Sequence, residues 1–439
     1  MYPFNRLNRS LPTMGALLAM TRSFPPLPVL GQSFMNLLET FEALLVESIR
    51  QRVATIPFSG GDKPRIAILF SGGLDCTALA FLVDRVLPVG EGIDLINVAF
   101  ENPRKLQFER SVAGGANPNP NQKNKKMKET KKERQERIKR EQERVSESAG
   151  AVEETMLKKE GEGEDEVYEP KEQESIYDVP DRLTGRSSWQ DLCQLKPDRS
   201  WNFVEVDVPY EEMTQHRQRV IELMKPQDTV MDLSIAIAFY FAARGRGFLA
   251  RPEGEINDNE DKSCRAPYES TARVLLSGLG ADELLGGYAR HRKAYNLYQP
   301  PIVPPNDDDE GTFVPPPLPD SPQGHVKWTS LINELELDLN RLSSRNLGRD
   351  DRIISSMSKE VRYPFLASPV VAFLTDLPVW HKCDMRFEEG MGDKLLLRML
   401  VRKFGLERVW RYKKRAIHFG ARTAKMEQDT GRAKGTDRL

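Results

Sequence analysis

Cysteine is scarce. Cys76, Cys193, Cys264 and Cys383 are the four in 439 residues, far apart and with no CxxC pair. That spacing disfavours a structural zinc or a disulfide-stapled fold and suits a reducing compartment, so a cytoplasmic location is expected. No apolar run approaches the length needed to span a membrane. Net charge is nearly nil: 64 Lys and Arg against 65 Asp and Glu leave −1, which argues for neither a nucleic acid nor a membrane partner. Acid is missing from the start of the chain, where Arg6, Arg9 and Arg22 precede the first acid, Glu39. Such a bias fits a mitochondrial targeting segment, but Pro12, Pro25, Pro26 and Pro28 interrupt any long amphipathic helix. A disordered leader over 1–32 is the plainer expectation.

What is present centres on Ile66 to Leu82, IAILFSGGLDCTALAFL. A short apolar run ends in Ser71-Gly72-Gly73, and apolar residues then return at helical spacing, the pattern of a buried strand, a glycine turn and a helix start. Two glycines let backbone approach a ligand, and the N–H groups of such a turn favour an anion. Asp75 lies in the first helical turn. Beside a polyphosphate a carboxylate is repelled unless a divalent cation intervenes, so Asp75 is a candidate Mg²⁺ ligand.

Ser71-Gly72-Gly73-Leu74-Asp75-Cys76 resembles the SGGxDS pyrophosphate loop of the ATP pyrophosphatases, with Cys76 where that family has serine. A second apolar run, Val274 to Leu276, ends in Ser277-Gly278-Leu279-Gly280, followed by Ala281-Asp282-Glu283-Leu284-Leu285-Gly286-Gly287-Tyr288. This resembles the SGxGxDExxGGY motif of the asparagine synthetases. Two strands ending in such turns would set both on one edge of a parallel sheet, where open α/β sheets bind ligands. The fold class expected is α/β, a parallel sheet flanked by helices of the adenine nucleotide alpha-hydrolase type, carrying disordered insertions.

Along the chain, Ser33 to Val53 reads as an amphipathic helix capped by Ser33, with Phe34, Leu37, Leu38, Phe41, Leu44, Leu45 and Ile49 on one stripe. Ile93 to Phe100 is the next parallel strand. From 104 to 174 the composition turns highly charged with almost no apolar residues, KNKKMKETKKERQERIKREQER and then EGEGEDE, a composition that cannot offset its ordering entropy. Its acids alternate with its bases and aromatics are lacking, so nucleic-acid binding is not expected of it. Trp201 to Val208 reads as a strand, and Tyr210 to Lys225 and Asp228 to Ala243 as helices. The stretches 251–270 and 299–324 read as loops, 331–374 as mainly helical, Gly392 to Phe404 as a helix, and 428–439 as a tail. A single synthetase-like domain over 33–427 results.

Further segments carry the resemblance. Pro180-Asp181-Arg182-Leu183-Thr184-Gly185-Arg186, Ser344 to Arg352 (SRNLGRDDR), Glu360 to Leu366 (EVRYPFL) and Lys414 to Gly420 match the asparagine synthetase domain-containing proteins, a divergent branch of the synthetases. The resemblance implies ATP-dependent amidation of aspartate through β-aspartyl-AMP, with ATP and Mg²⁺ as cofactors. It implies Asp75, Asp282 and Lys414 as catalytic residues, and Asp75 and Asp282 as the metal ligands. It puts Leu69, Ser71, Gly72, Gly73, Asp75, Cys76, Phe100, Ser277, Gly278 and Gly280 at the nucleotide, with Leu69 and Phe100 by the adenine. Glu283, Asp351, Glu360 and Arg362 would organise the site, while Arg345 and Arg349 divide evenly between site and surface. Two departures matter. The family's glutaminase part, with its cysteine nucleophile, has no match in this sequence; free or partner-supplied ammonia is the expectation, and a truncated sequence is the equal alternative. Leu279 stands where working synthetases have a glutamate that helps deprotonate ammonia, and leucine accepts no proton. The family's aspartate-binding stretch has no match within 228–244. Two other functions stay open: a nucleotide-binding interaction protein without turnover, and adenylation of a different substrate.

Overall fold

Ile66–Leu69 (β1) is buried on both faces, and so is Ile93–Phe100 (β2), which is why both read as near-continuous apolar runs. The computed structural model describes residues 6–13, 31–57, 63–101, 175–251, 265–297, 321–423 and 435–439. The charged stretch 104–174, most of the leader, and most of the two expected loops lie outside these. Trp201–Val208 (β3), Arg246–Leu249 (β4), Pro267–Glu269 (β5), Val274–Leu276 (β6) and Glu360–Arg362 (β7) complete a seven-stranded sheet of order β5-β4-β3-β2-β1-β6-β7. The run β3-β2-β1-β6-β7 is parallel. β4 and β5 add antiparallel at one edge, so the sheet is mixed rather than wholly parallel.

β1 is the strand from which the order runs both ways, to β2 on one side and β6 on the other. Its register with β6 pairs Ile66 with Val274 and Ile68 with Leu276. Parallel and in register, the two strands end together. The turns that follow, at Ser71 and Ser277, therefore open on the same edge at the reversal of strand order.

Apolar layers cover both faces. Alternation sends Ile66 and Ile68 to one layer and Ala67 to the other. Helix Gln32–Ala54 adds Phe34, Leu38, Phe41, Leu45, Ile49 and Val53 to the first layer, each buried side chain contributing roughly 1.5–3 kcal/mol. Leu37 and Leu44 sit at the margin of that stripe. The helix starts one residue before Ser33, after Gly31, and Ser33 does not cap it. Helices Tyr210–Met224, Val230–Arg244 and Gly348–Ser355 cover the other face.

Several boundaries differ from expectation. Pro180–Leu195 is a helix, with Pro180 at its first turn and Asp181 beside it, a start signal present in the sequence. Glu360–Arg362 is an edge strand where helix was expected. Pro267–Glu269, within the expected loop 251–270, is also a strand. Ser321 caps helix Pro322–Leu342, which reaches into the second expected loop. In the leader, Leu7 is buried and the Asn8 N–H donates to the Thr375 carbonyl at 2.7 Å. Among the described residues no helix is long and apolar enough to cross a membrane.

The first turn leans on helix Pro180–Leu195. Gly72 has φ +76°, and a Cβ there would come within 2.5 Å of Gly185 backbone. Ser188 Oγ donates to the Gly72 carbonyl at 2.7 Å. Gly72→Ala is therefore expected to lower stability by roughly 2 kcal/mol or more in chemical denaturation. A loss within about 0.5 kcal/mol of zero would remove the clash from the account.

Candidate active site

At the end of β1, Ser71 Oγ accepts from the Gly73 N–H at 3.4 Å and lies 3.6 Å from Cys76 Sγ, which donates to the Gly73 carbonyl at 3.3 Å. Cys76 thus keeps a weaker version of the hydrogen bonds expected of serine. Asn97, a polar residue in a buried strand, braces the turn by donating to the carbonyls of Phe70 and Asp181, both at 2.9 Å. At the end of β6, Ser277 Oγ accepts from the Leu279 N–H at 3.3 Å. Gly280, at φ +100°, donates to Glu283 Oε2 at 3.2 Å, and Tyr288 Oη donates to Glu283 Oε1 at 2.6 Å. Both Glu283 oxygens are engaged, so this residue holds the turn.

The turns touch at glycine. A Cβ on Gly278 would come within 2.9 Å of Asp75 Cβ. Asp75 and Asp282 are brought together, and a lysine not singled out in the sequence joins them. Lys394 Nζ lies 2.7 and 2.6 Å from the Asp75 carboxylate oxygens and 2.7 Å from Asp282 Oδ1. Lys414 Nζ meets Asp282 Oδ2 at 2.7 Å. Gly287 makes room for this cluster, since a Cβ there would fall 2.0 Å from Asp282 Oδ1 and 2.2 Å from Lys394 Cε. Burial alone would raise the Asp282 pKa, but the two ammoniums outweigh it and hold the carboxyl well below its usual range. Burial would likewise lower Lys414, yet Asp282 and then Asp75 raise it.

The cluster opens into a cavity of about 670 Å³. One part of its wall is apolar, with Leu69, Ile96, Val98, Ile235, Phe239 and Ile417. Another carries Arg341, Arg345, Arg349, Asp232 and Asp350, and a third Lys413, Lys414 and Arg415. Arg349 pairs with Asp232 at 2.6 Å and with Asp350 at 2.8 Å. Burial pushes Asp350 up to about 6 against the pull of Arg349. Asp181, nine-tenths enclosed, faces Arg415 at 3.6 Å, and burial pushes it up to about 7 against Arg415 and Lys414. Arg182 of the same segment is fully buried and pairs with Glu205 and Asp207 at 3.2 and 2.9 Å, a packing role.

Of the residues expected at the nucleotide, Leu69, Ser71, Gly73, Asp75, Cys76, Ser277 and Gly278 line this cavity. Four other expectations fail. Phe100 is fully buried edge-on against Phe241 at 5.8 Å, and its N–H donates to the Ala421 carbonyl; Ile96 and Val98 line the cavity instead. Asp351 is exposed, because the inward face of its helix carries Arg349 and Asp350. Glu360 is exposed and pairs with Arg362 at 2.8 Å. Arg362 in turn donates to Thr55 Oγ1 at 2.9 Å, in a separate surface groove. Gly72 and Gly280 shape their turns without lining the cavity; Gly280 packs against Leu366.

No group of three or more His, Cys, Asp or Glu side chains able to hold a metal exists among the described residues. Mg²⁺ asks less of the protein, since one or two carboxylates suffice when phosphate oxygens and water complete the shell. Asp75 and Asp282 fit that demand. Asp282 Oδ1 is buried and accepts no aligned hydrogen bond despite its closeness to Lys394.

Known proteins bear on the same residues. The asparagine synthase family model matches residues 263–434. Asparagine synthetase domain-containing protein 1 of Gallus gallus is 38% identical over 372 residues, which are 84% of this chain and 48% of that protein. Its Homo sapiens counterpart is 37% identical over 367 residues, 83% of this chain and 46% of that protein. An asparagine synthetase domain-containing protein of Saccharomyces cerevisiae is 33% identical over 405 residues, 90% and 55%. The chain spans about half the length of these relatives.

Two outcomes follow from the charges. Lys394→Met leaves Asp75 and Asp282 facing each other without their shared ammonium and is expected to cost about 3–5 kcal/mol by denaturation; a smaller loss than roughly 1 kcal/mol would contradict the bridge. For Asp181 the folded pKa of about 7 lies above the ordinary 3.8, so between these values the folded chain holds more protons than the unfolded one. Stability from this group falls as pH rises through that window. Asp181→Asn should melt above the wild type at pH 8 and level with it near pH 4, and the opposite ordering would refute the enclosure of its charge.

Proposed function

The chain belongs to the asparagine synthetase domain-containing proteins, and from that premise we propose that it adenylates a carboxylic acid with ATP and passes the acyl group to an amine. The family itself supports a ligase-type function related to asparagine synthesis. The finer reading is amidation of aspartate through β-aspartyl-AMP, with ammonia free or delivered by a partner. One observation carries it: two turns at the ends of β1 and β6 present Asp75 and Asp282 to one cavity, with Lys394 and Lys414 between and beside them.

In this reading the carboxylate oxygen of the acid attacks the α-phosphorus and pyrophosphate departs. Little bond chemistry falls to the protein, so positioning and charge neutralisation do most of the work. The glycine turn at 71–73 offers backbone N–H groups to pyrophosphate oxygens. Lys414, kept charged by Asp282, meets the negative charge that builds on the leaving group. The apolar wall of Ile96, Val98 and Phe239 suits the flat adenine ring. Mg²⁺ held by Asp75 and Asp282 would neutralise phosphate charge while the α–β link breaks.

A second reading rests on Leu279. It lines the cavity where a proton acceptor is needed for amine attack, and it has none to offer. In that case the chain binds ATP·Mg²⁺ and turns over no substrate.

Pyrophosphate release by the purified protein separates the two. Repeated release is expected to need both aspartate, for the step that frees pyrophosphate, and ammonium chloride, whose ammonia displaces AMP and clears the site, and to fall by about 10²–10³ in Lys414→Met. Release indifferent to both additions would end the amidation reading, and binding of ATP·Mg²⁺ without release would favour the second. Leu279→Glu should raise amide formation if the leucine limits it.

A further inference from the structure

Helix Ala289–Asn296 and helix Pro322–Leu342 meet at Asp338, whose side chain is only 3% exposed yet forms part of the cavity wall. Its two oxygens are treated differently. His291 Nε2 lies 2.7 Å from Oδ2, and Arg290 reaches the same oxygen through Nε at 3.0 Å and Nη2 at 2.6 Å. The tautomer of His291 is fixed, because its Nδ1 accepts the Tyr288 N–H at 3.2 Å, leaving Nε2–H to donate. Arg290 is fixed too, lying 4.0 Å over the Tyr288 ring and 3.4 Å from Glu334. No described residue donates to Oδ1, and Asp338 lines the cavity.

Most other carboxylates of the wall are spoken for. Asp75 and Asp282 take lysines, Asp232 and Asp350 take Arg349, and Glu283 takes Tyr288 and the Gly280 N–H. Asp181 and Asp350 also keep an oxygen with no described donor, but burial pushes these carboxyls up, to about 7 and about 6, toward the protonated form, which receives a cation poorly. A buried carboxylate oriented through one oxygen and open at the other is a receiver for N–H groups. Burial alone would raise the Asp338 pKa, but its bonds to His291 and Arg290 outweigh it and keep the carboxyl ionised.

The geometry points to Asp338 as the carboxylate that receives the amine nitrogen of the second substrate, ammonium or a primary amine, through Oδ1 in the cavity that Leu279 also lines. This rests on the acyl-transfer reading above and supplies the nitrogen contact that Leu279 cannot make. Arg290 and His291 are its positioning residues.

The test needs no turnover. The thermal midpoint of the full chain is measured in about 100 mM ammonium chloride, potassium chloride or tetramethylammonium chloride, which share ionic strength but differ in N–H donors. The wild type should melt about 1 °C or more higher in ammonium than in either other salt; Asp338→Asn should lose that difference and Asp181→Asn should keep it. No difference in the wild type, an equal rise with potassium, or a difference surviving in Asp338→Asn would overturn the assignment. Should Asp338→Asn fail to fold, hydrogen exchange along Pro322–Leu342 in the wild type decides: slowing by ammonium but not tetramethylammonium supports the site, and no slowing refutes it. If turnover is found, Asp338→Asn should raise the KM for ammonium about tenfold and leave that for ATP within twofold, a split that a merely structural tie between helices would not produce. Pyrophosphate release independent of aspartate, with the ammonium shift intact, would remove the aspartate reaction and leave this site standing.

Discussion

Two carboxylates at the ends of neighbouring strands cannot share a crevice without a cation between them. The register of β1 with β6 forces Asp75 and Asp282 into that position, and Lys394 answers it. Much else in the active region follows from this demand. Gly278 and Gly287 carry no side chain because the acids and the lysine occupy the space a Cβ would need. Lys394 adopts φ 52°, a backbone state most residues avoid, so that its side chain can turn back from the start of helix Leu395–Lys403. Lys414 then neutralises what Lys394 does not.

Charge in the cavity is sorted rather than mixed. The lysines sit with the strand-end acids, and Arg349 sits with Asp232 and Asp350. Buried ions of this kind are costly unless paired, and each acid discussed has a cation within reach. The apolar wall between helix Val230–Arg244 and β2 has no such groups and suits a ring.

How much of this was legible depended on what kind of feature carried it. Strands β2, β3 and β6 were readable to the residue, because buried parallel strands are bounded by abrupt turns. Asp75 and Asp282 were readable because a glycine turn after a strand has few purposes. Lys394 was hidden, since nothing in GDKLLLR signals a left-handed residue reaching backwards. Asp351 comes from the family pattern, but one residue on a helix turns the side chain by about 100°, and the cavity takes Asp350 instead. Phe100 belongs to the right strand, but its ring packs edge-on against Phe241 instead of lining the cavity. The Asp338–His291 pair joins two helices whose meeting is a tertiary fact, so no local pattern announced it.

The Gly72 turn is shaped by Gly185 and Ser188, and its acid by Lys394, all of them translated long after the turn itself. A nascent chain therefore displays its glycine turn and Asp75 before either support exists. The glycine turn is thus a late product of synthesis, completed only once Lys394 has left the ribosome, and a ribosome-bound fragment ending short of residue 394 holds a sheet edge with its acids uncompensated.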